Sequence, residues 1–342
     1  MNGLPRVSIV IPVYHVEPYI AECLQSVMRQ TYQGEIECIV VDDCGTDKSI
    51  EVAERVIADY TGHVEFKVVH HEYNRGVAAS RNTGTDAATG DYYYYLDPDD
   101  YITDDCLTVM TEPLKEKDYD MVLADYELTY NPYNIHLLAK ETGPVLGNEA
   151  IFKEFYVYRT LYVTPTNKLF NSSLLLRHEL KFLEGQIHED DLWSYKTALC
   201  LESLYVQNRI TYIYRIRPGS ITSDYHSNTK LRLKSWMATV DYVLSHPSKV
   251  KKEYYDRSVA YDFEKFVRFI IHDDESHKEE YVALRLRFDY HPFRLFLKGE
   301  LNFSQLKDQL HLALPPRLGY AYIELRKIGR RLFRKTKKPS TL

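Results

Sequence analysis

Cysteine is scarce and scattered in this sequence of 342 residues. The five positions Cys23, Cys38, Cys44, Cys106 and Cys200 show no CxxC and no Cys/His ligand spacing, which argues against a disulfide framework or a zinc site and fits a reducing cytoplasm. No apolar run approaches the roughly 18 residues of a membrane-spanning helix. The run from Val7 to Val13 is interrupted by Pro12 and lacks a small-residue cleavage site, so no signal peptide is expected. No internal repeat or low-complexity tract is evident. No G-x-G-x-x-G follows the first strand-like run either, which speaks against a dinucleotide-dependent oxidoreductase, because that fingerprint lets the backbone approach a pyrophosphate.

The composition is otherwise that of a soluble globular protein, with 44% hydrophobic and 27% charged residues. At roughly 100–200 residues per domain, the length predicts one large domain and an appendage. The net charge of −6 hides an asymmetry, because residues 326–338 carry eight Lys or Arg and no acid. The remaining body is therefore acidic. Nucleic acid is an unsuitable partner for it, while phosphates remain within reach through a bridging cation.

The apolar runs are short and β-branched. "RVSIVIPVY" (6–14), "IECIVVDD" (36–43) and "VEFKVVHH" (64–71) read as buried parallel strands. Between them Ile20, Leu24, Val27 and Met28, and then Ile50, Ala53, Val56 and Ile57, recur at helical spacing. "NRGVAASRNTG" opens another helix, and "DYYYYLDPDD" (91–100) runs a strand of tyrosines, suited to a pleated half-buried surface, into a loop of acids. This alternation predicts an α/β, Rossmann-like fold with a mainly parallel sheet flanked by helices. Ligands gather at the carboxyl ends of such strands, where Asp42, Asp43, Asp97 and Asp99 stand. Beyond residue 229 the pattern is almost wholly helical, so the expected division is an α/β domain over 1–225 and a helical region over 226–342.

Asp97-Pro98-Asp99-Asp100 sets carboxylates two apart across a turn, where they converge on a hard cation such as Mg²⁺ or Mn²⁺; acids at strand ends are also often merely solvated. In order along the chain, "IVIPVYHVEPYI", "VVDDCGTDKS", "NRGVAASRNTG", "YYLDPDD" and "HEDDLWSY" together resemble the motifs of the inverting family 2 glycosyltransferases. The resemblance implies a GT-A fold, a nucleotide-sugar donor (UDP-linked by family frequency) and Mn²⁺ or Mg²⁺. It implies that Pro12, Val13, Tyr14 and Glu17 shape the base and ribose pocket and that Asp43 accepts a base N–H. Arg81 is implied on the donor's base, ribose or phosphates, with Asn82 and Gly76 shaping the turn above; the alternative for Arg81 is a salt bridge to the acidic loop. Asp97 is implied toward the ribose and Asp99 on the cation, as the two members of the metal motif. His15 and Cys44 depart from the family, which has Asn and Gly there.

Transfer with inversion needs one base to take the acceptor hydroxyl proton. By the resemblance Asp190 is that base and Glu189 the preceding acid that supports it; the alternative is that these acids only suit a helix N-terminus. No protein acid is needed on the leaving side, where a cation neutralises the diphosphate. Arg217 and Ser220 in "YRIRPGSIT" (214–222) have counterparts near the phosphates, or form a structural turn. Asn167 and Lys168 in "TPTNKLF" (164–170) have counterparts near the donor sugar or acceptor. The implied activity is transfer to a hydroxyl of a glycan or lipid-linked acceptor, in bacterial capsule, lipopolysaccharide or exopolysaccharide assembly. A catalytically inactive sugar- or partner-binding module is the rival from another class.

The tail places Leu318, Tyr322, Leu325, Ile328 and Leu332 on one helical stripe, with Arg326, Arg330 and Arg334 at intervals of four. A basic amphipathic helix of this kind suits the anionic inner face of the plasma membrane. Its alternative is a stripe packed on the helical region, with the basic face in water.

Overall fold

The computed structural model describes residues 3–129, 140–217, 229–273 and 275–336. The chain forms two compact units, one of Met1–Gly185 with Glu189–Ser223 and the other of Gln186–His188 with Asp224–Leu342.

The first unit is built on one sheet. Its strands are β1 (Val7–Val13), β2 (Ile36–Asp42), β3 (Val64–His70), β4 (Tyr92–Tyr95), β5 (Tyr101–Ile102), β6 (Met121–Leu128), β7 (Gly143–Leu146), β8 (Lys168–Asn171) and β9 (Ser203–Tyr214). They lie in the order β3-β2-β1-β4-β8-β6-β9-β5, with β7 also paired to β9. The half β3-β2-β1-β4 is parallel throughout. Across β8 the pairing turns antiparallel, and β6 with β9 is parallel again. Every residue of β1 is buried, as expected of a strand covered on both faces.

Helices Ile20–Met28, Ser49–Ala58 and Val77–Ala87 are the crossovers. The first buries Ile20, Leu24 and Val27, as the spacing predicts, and also Cys23 and Ser26. The third lies flush on β1, because a Cβ on Gly84 would come 2.3 Å from Val10 Cγ1. It starts at Gly76, whose φ of +85° suits glycine. All four tyrosines of β4 are buried, and each hydroxyl has a partner: Tyr119 O, Ala88 O, Asn167 Oδ1 and Thr85 Oγ1 in turn. They are packing residues with polar ends satisfied.

The second unit is helical, with Thr229–Ser245, Lys252–His272, Lys278–Arg285, Pro292–Leu297, Phe303–Ala313 and Pro316–Thr336. The last of these presents Tyr320, Ile323 and Lys327 inward. Arg326 pairs with Asp308 at 2.8 Å, Lys327 donates to Glu275 O, and Arg330 bonds His272. The tail expectation is therefore corrected at these positions: Arg326, Lys327 and Arg330 turn to groups of their own unit. Leu318, Leu325 and Ile328 are the exposed side, at 58, 67 and 50%. No helix among the described residues is long and apolar enough to cross a membrane.

Candidate active site

The carboxyl ends of β1, β2 and β4 lie side by side, and the loops leaving them carry most of the expected site residues. Pro12 and Val13 are buried in β1, and Val13 O accepts the Asp43 N–H. Tyr14 follows, 45% exposed and stacked on His15 at 4.2 Å. Glu17 accepts from the Lys48 N–H, which ties this loop to the one after β2. His15 and Cys44 have φ of +52° and +57°. The two departures from the family thus fall on left-handed positions, which favour Gly and Asn. The His15 ring, bonded to the Thr46 amide and hydroxyl, holds its loop in place.

Asp43 is buried and accepts four donors. Oδ1 takes the His71 Nδ1–H and the Arg75 N–H, each at 2.8 Å, and Oδ2 takes the Gly76 N–H at 2.8 Å and Asn74 Nδ2 at 3.1 Å. A carboxylate has about four lone-pair sites. Asp43 thereby holds the turn that starts the 77–87 helix.

The acidic loop after β4 divides its labour. Asp100 is buried and accepts the Tyr212 hydroxyl at 2.6 Å and the Arg215 N–H at 2.7 Å. Burial pushes its carboxyl well above the usual range, the charges of Asp97 and Asp99 add to this, and the two hydrogen bonds oppose it. Asp100 anchors the loop to β9, so Asp97 and Asp99 are left to face other groups. Asp99 meets Arg217 Nε at 2.5 Å. Asp97 meets Arg81 Nη2 at 2.9 Å.

Arg81, 5% exposed, joins both halves of the site. Its Nη1 lies 2.5 Å from Glu189 Oε1, in the first turn of helix Glu189–Ala198. Burial works against its charge, but Asp97 and Glu189 outweigh that and hold the guanidinium protonated. On the acid side, burial raises the Asp97 carboxyl, Arg81 opposes this and Asp99 adds to it. The Glu189 carboxyl is likewise raised by burial, opposed by Arg81 and helped up by Asp190. Asp190 is thus within electrostatic reach of both Arg81 and Glu189.

Three of the residues expected near the donor are engaged by the protein. Arg81 spends both terminal nitrogens on protein carboxylates, which is the salt-bridge alternative extended to a second partner. Asn82 exchanges hydrogen bonds with the Phe182 backbone at 2.9 and 3.0 Å instead of shaping a turn over a donor. Asn167 is fully buried, accepting from Tyr94 and Thr211 and donating to Asp125 O, so it is a core residue. Lys168 is also buried, over the Tyr162 ring at 3.7 Å. Burial pushes its amine well below the ordinary value, and the charge of Asp190 opposes this. Ser220 lies outside the described residues. The partnerships of Tyr212, Asp100 and His71 are not visible in the sequence, because a buried partner is set by contacts distant in sequence.

Asp97 and Asp99 offer hard oxygen donors of the kind that Mg²⁺ and Mn²⁺ prefer. Each already faces a guanidinium, a cationic stand-in that fits the requirement for positive charge at this point. The acids of β4 and of the 189–198 helix converge on one region through Arg81, whereas Tyr14, Glu17 and Asp43 belong to the adjoining ends of β1 and β2.

A family model described as glycosyl transferase family 2 matches residues 8–176. The glycosyltransferase GlyA of Streptococcus pneumoniae serotype 4 is 29% identical over 227 residues, covering 64% of this chain and 31% of that protein. EpsJ of Bacillus subtilis, an uncharacterized glycosyltransferase, is 32% identical over 231 residues, covering 64% and 63%. The chain thus spans less than two thirds of either relative's length. The crystal structure of S. aureus TarS 1-349 in complex with UDP-GlcNAc superposes with a TM-score of 0.74 at 20% identity, over 96% of this chain and 92% of that one. The two share the GT-A fold.

Proposed function

Starting from a chain that belongs to glycosyl transferase family 2, we propose that it moves a sugar with inversion from a UDP-sugar to a hydroxyl of a glycan or lipid-linked acceptor. The observation that carries this reading is the single guanidinium of Arg81 held between Asp97 and Glu189. It brings together an acid loop suited to a cation and the helix turn that bears Asp190. The S. aureus relative was crystallised with UDP-GlcNAc, which supports uridine as the first base to try.

In this reading Asp190 accepts the proton of the acceptor hydroxyl as its oxygen attacks the anomeric carbon from the face opposite the diphosphate. The new C–O bond forms as the bond to the diphosphate oxygen breaks, and the pair of electrons leaves with the nucleoside diphosphate. Asp99, with Asp97, would hold Mn²⁺ or Mg²⁺, which when bound neutralises negative charge on the diphosphate. Arg217 would meet the phosphates, and Tyr14 and Glu17 would border the base. Asp43 acts through the 74–76 turn it holds, and the domain over 1–225 carries the whole reaction.

A panel of nucleotide-sugars, assayed for nucleoside diphosphate release with and without Mn²⁺, tests this. An inactive binding module would release none under either condition. The outward stripe of Leu318, Leu325 and Ile328 supports peripheral attachment to a bilayer, on the cytoplasmic face where a lipid-linked acceptor is presented. Co-sedimentation with anionic liposomes should drop when Leu325 and Ile328 are both replaced by Glu; undiminished sedimentation refutes attachment through this stripe.

A further inference from the structure

We infer that Arg81 is a positioning residue that fixes the spacing between the cation-side loop and the base-bearing helix, and not a ligand of the donor. The inference rests on the roles proposed above for Asp99 and Asp190.

An inverting displacement needs the leaving group and the base on opposite faces of one carbon. Here those two sides come from segments far apart in the chain, Asp97 after β4 and Glu189 at the start of helix Glu189–Ala198. Each segment has its own fastening. The 97–100 loop is tied to β9 through Asp100, Tyr212 and Arg215. The 189–198 helix is seated by Trp193, which stacks on Phe182 at 4.5 Å and donates to Leu180 O at 3.0 Å. Arg81 joins the two through a planar fork, with Nη2 on Asp97 and Nη1 on Glu189. The separation of the acids is thus set by the rigid geometry of one guanidinium.

Two observations separate this role from donor binding. Both terminal nitrogens are committed to protein carboxylates, while the buried Nε has no partner among the described residues. Phe182 lies 5.4 Å from the guanidinium carbon. The adjacent Asn82 bonds the Phe182 backbone in both directions, so this stretch of the 77–87 helix is held against Phe182.

The test uses the full chain with Arg81→Lys, Glu189→Gln and the double variant. UDP affinity is measured by calorimetry, folding by thermal melt, and kcat at saturating donor. Lysine keeps the charge but is a point donor without the fork. Arg81→Lys and Glu189→Gln should each lower kcat about 10–100-fold, and the double variant no more than about threefold further, because both break one unit. UDP affinity should stay within about threefold in all three. Multiplying kcat penalties overturn the coupling. A loss of UDP affinity of about tenfold or more in Arg81→Lys alone makes Arg81 a donor ligand and overturns the inference too. If Arg81→Lys does not fold, Glu189→Gln decides alone: reduced kcat at unchanged UDP affinity supports the inference, and full kcat sinks it. Failure of the underlying reading would look different, since the wild-type chain would then bind no nucleotide and release no diphosphate.

Discussion

Two neighbouring strand ends carry acids and satisfy them in opposite ways. After β2, Asp43 is held by backbone N–H groups, an amide and an imidazole, all from residues 71–76. These donors belong to one turn and cannot leave without unfolding it. After β4, Asp97 and Asp99 are met by the guanidiniums of Arg81 and Arg217, at the tips of long side chains from the 77–87 helix and from the segment after β9. Both arrangements satisfy a buried or half-buried carboxylate. Of these pairs, Asp99 with Arg217, partly solvated on both sides, can exchange one positive partner for another, as a cation site requires. An acid at a strand end is therefore defined by its partners, since by position alone the two sites look alike.

Removing the exchangeable acid should have the largest effect. Asp99→Ala is expected to lower kcat by about 10³-fold or more while the melting temperature holds, because Arg217 and Asp99 are both partly solvated. Wild-type turnover that persists in excess chelator would show that no cation sits there. Asp190→Asn comes next: it keeps shape and loses the proton acceptor, so kcat should fall about 10²–10⁴-fold with UDP affinity nearly unchanged. Near-normal kcat in this variant would move the base to Glu189 or Asp191.

The sheet, its crossover helices and the strand-end acids were legible because periodicity and β-branched runs report burial directly. The tyrosines of β4 were legible for the same reason. Partners were not. Nothing local in "VVDDCG" tells that the second acid is saturated by a turn some thirty residues on, or that Asp100 differs from Asp99 in meeting Tyr212. The resemblance supplied residue identities but not the wiring, so Arg81, Asn82 and Asn167 were referred to a ligand when each is engaged by the protein. The tail misled for a different reason: a regular stripe marks two faces without saying which is inward, and buried Tyr320, Ile323 and Lys327 lie off the stripe.

Disturbing the fixed acid should read out as stability first. Asp43→Asn turns one oxygen into an NH₂ that faces two donors, with backbone N–H groups among the four it meets. The loss should be on the order of 2–4 kcal/mol, seen as a lowered denaturant midpoint at unchanged m-value, with the KM for donor rising as the 74–76 turn loosens. If stability holds and only the donor KM rises, Asp43 is a base ligand after all and the contrast with Asp99 collapses.

The smallest effect, and the sharpest test of exchange, is expected at Arg217. Its Nε meets Asp99 Oδ2 at 2.5 Å, and its guanidinium carbon lies 5.5 Å from the Tyr19 ring centre, close to the 5.0 Å of Arg215. Arg215 keeps its own pairing with Glu22 and its N–H on Asp100. Arg217→Met should therefore leave the fold and the 97–100 loop in place. A metal ion binding Asp99 must displace a guanidinium in the wild type and nothing in the variant, so Mn²⁺ affinity without donor should rise about 3–10-fold, or up to about 1.4 kcal/mol. With donor present the sign reverses, because a cationic group facing the diphosphate is lost and KM for the donor should increase. Titration of Mn²⁺ by electron paramagnetic resonance, with and without UDP, separates the two effects. Weaker Mn²⁺ binding in the absence of UDP would mean that Arg217 organises the acid pair rather than competing for it.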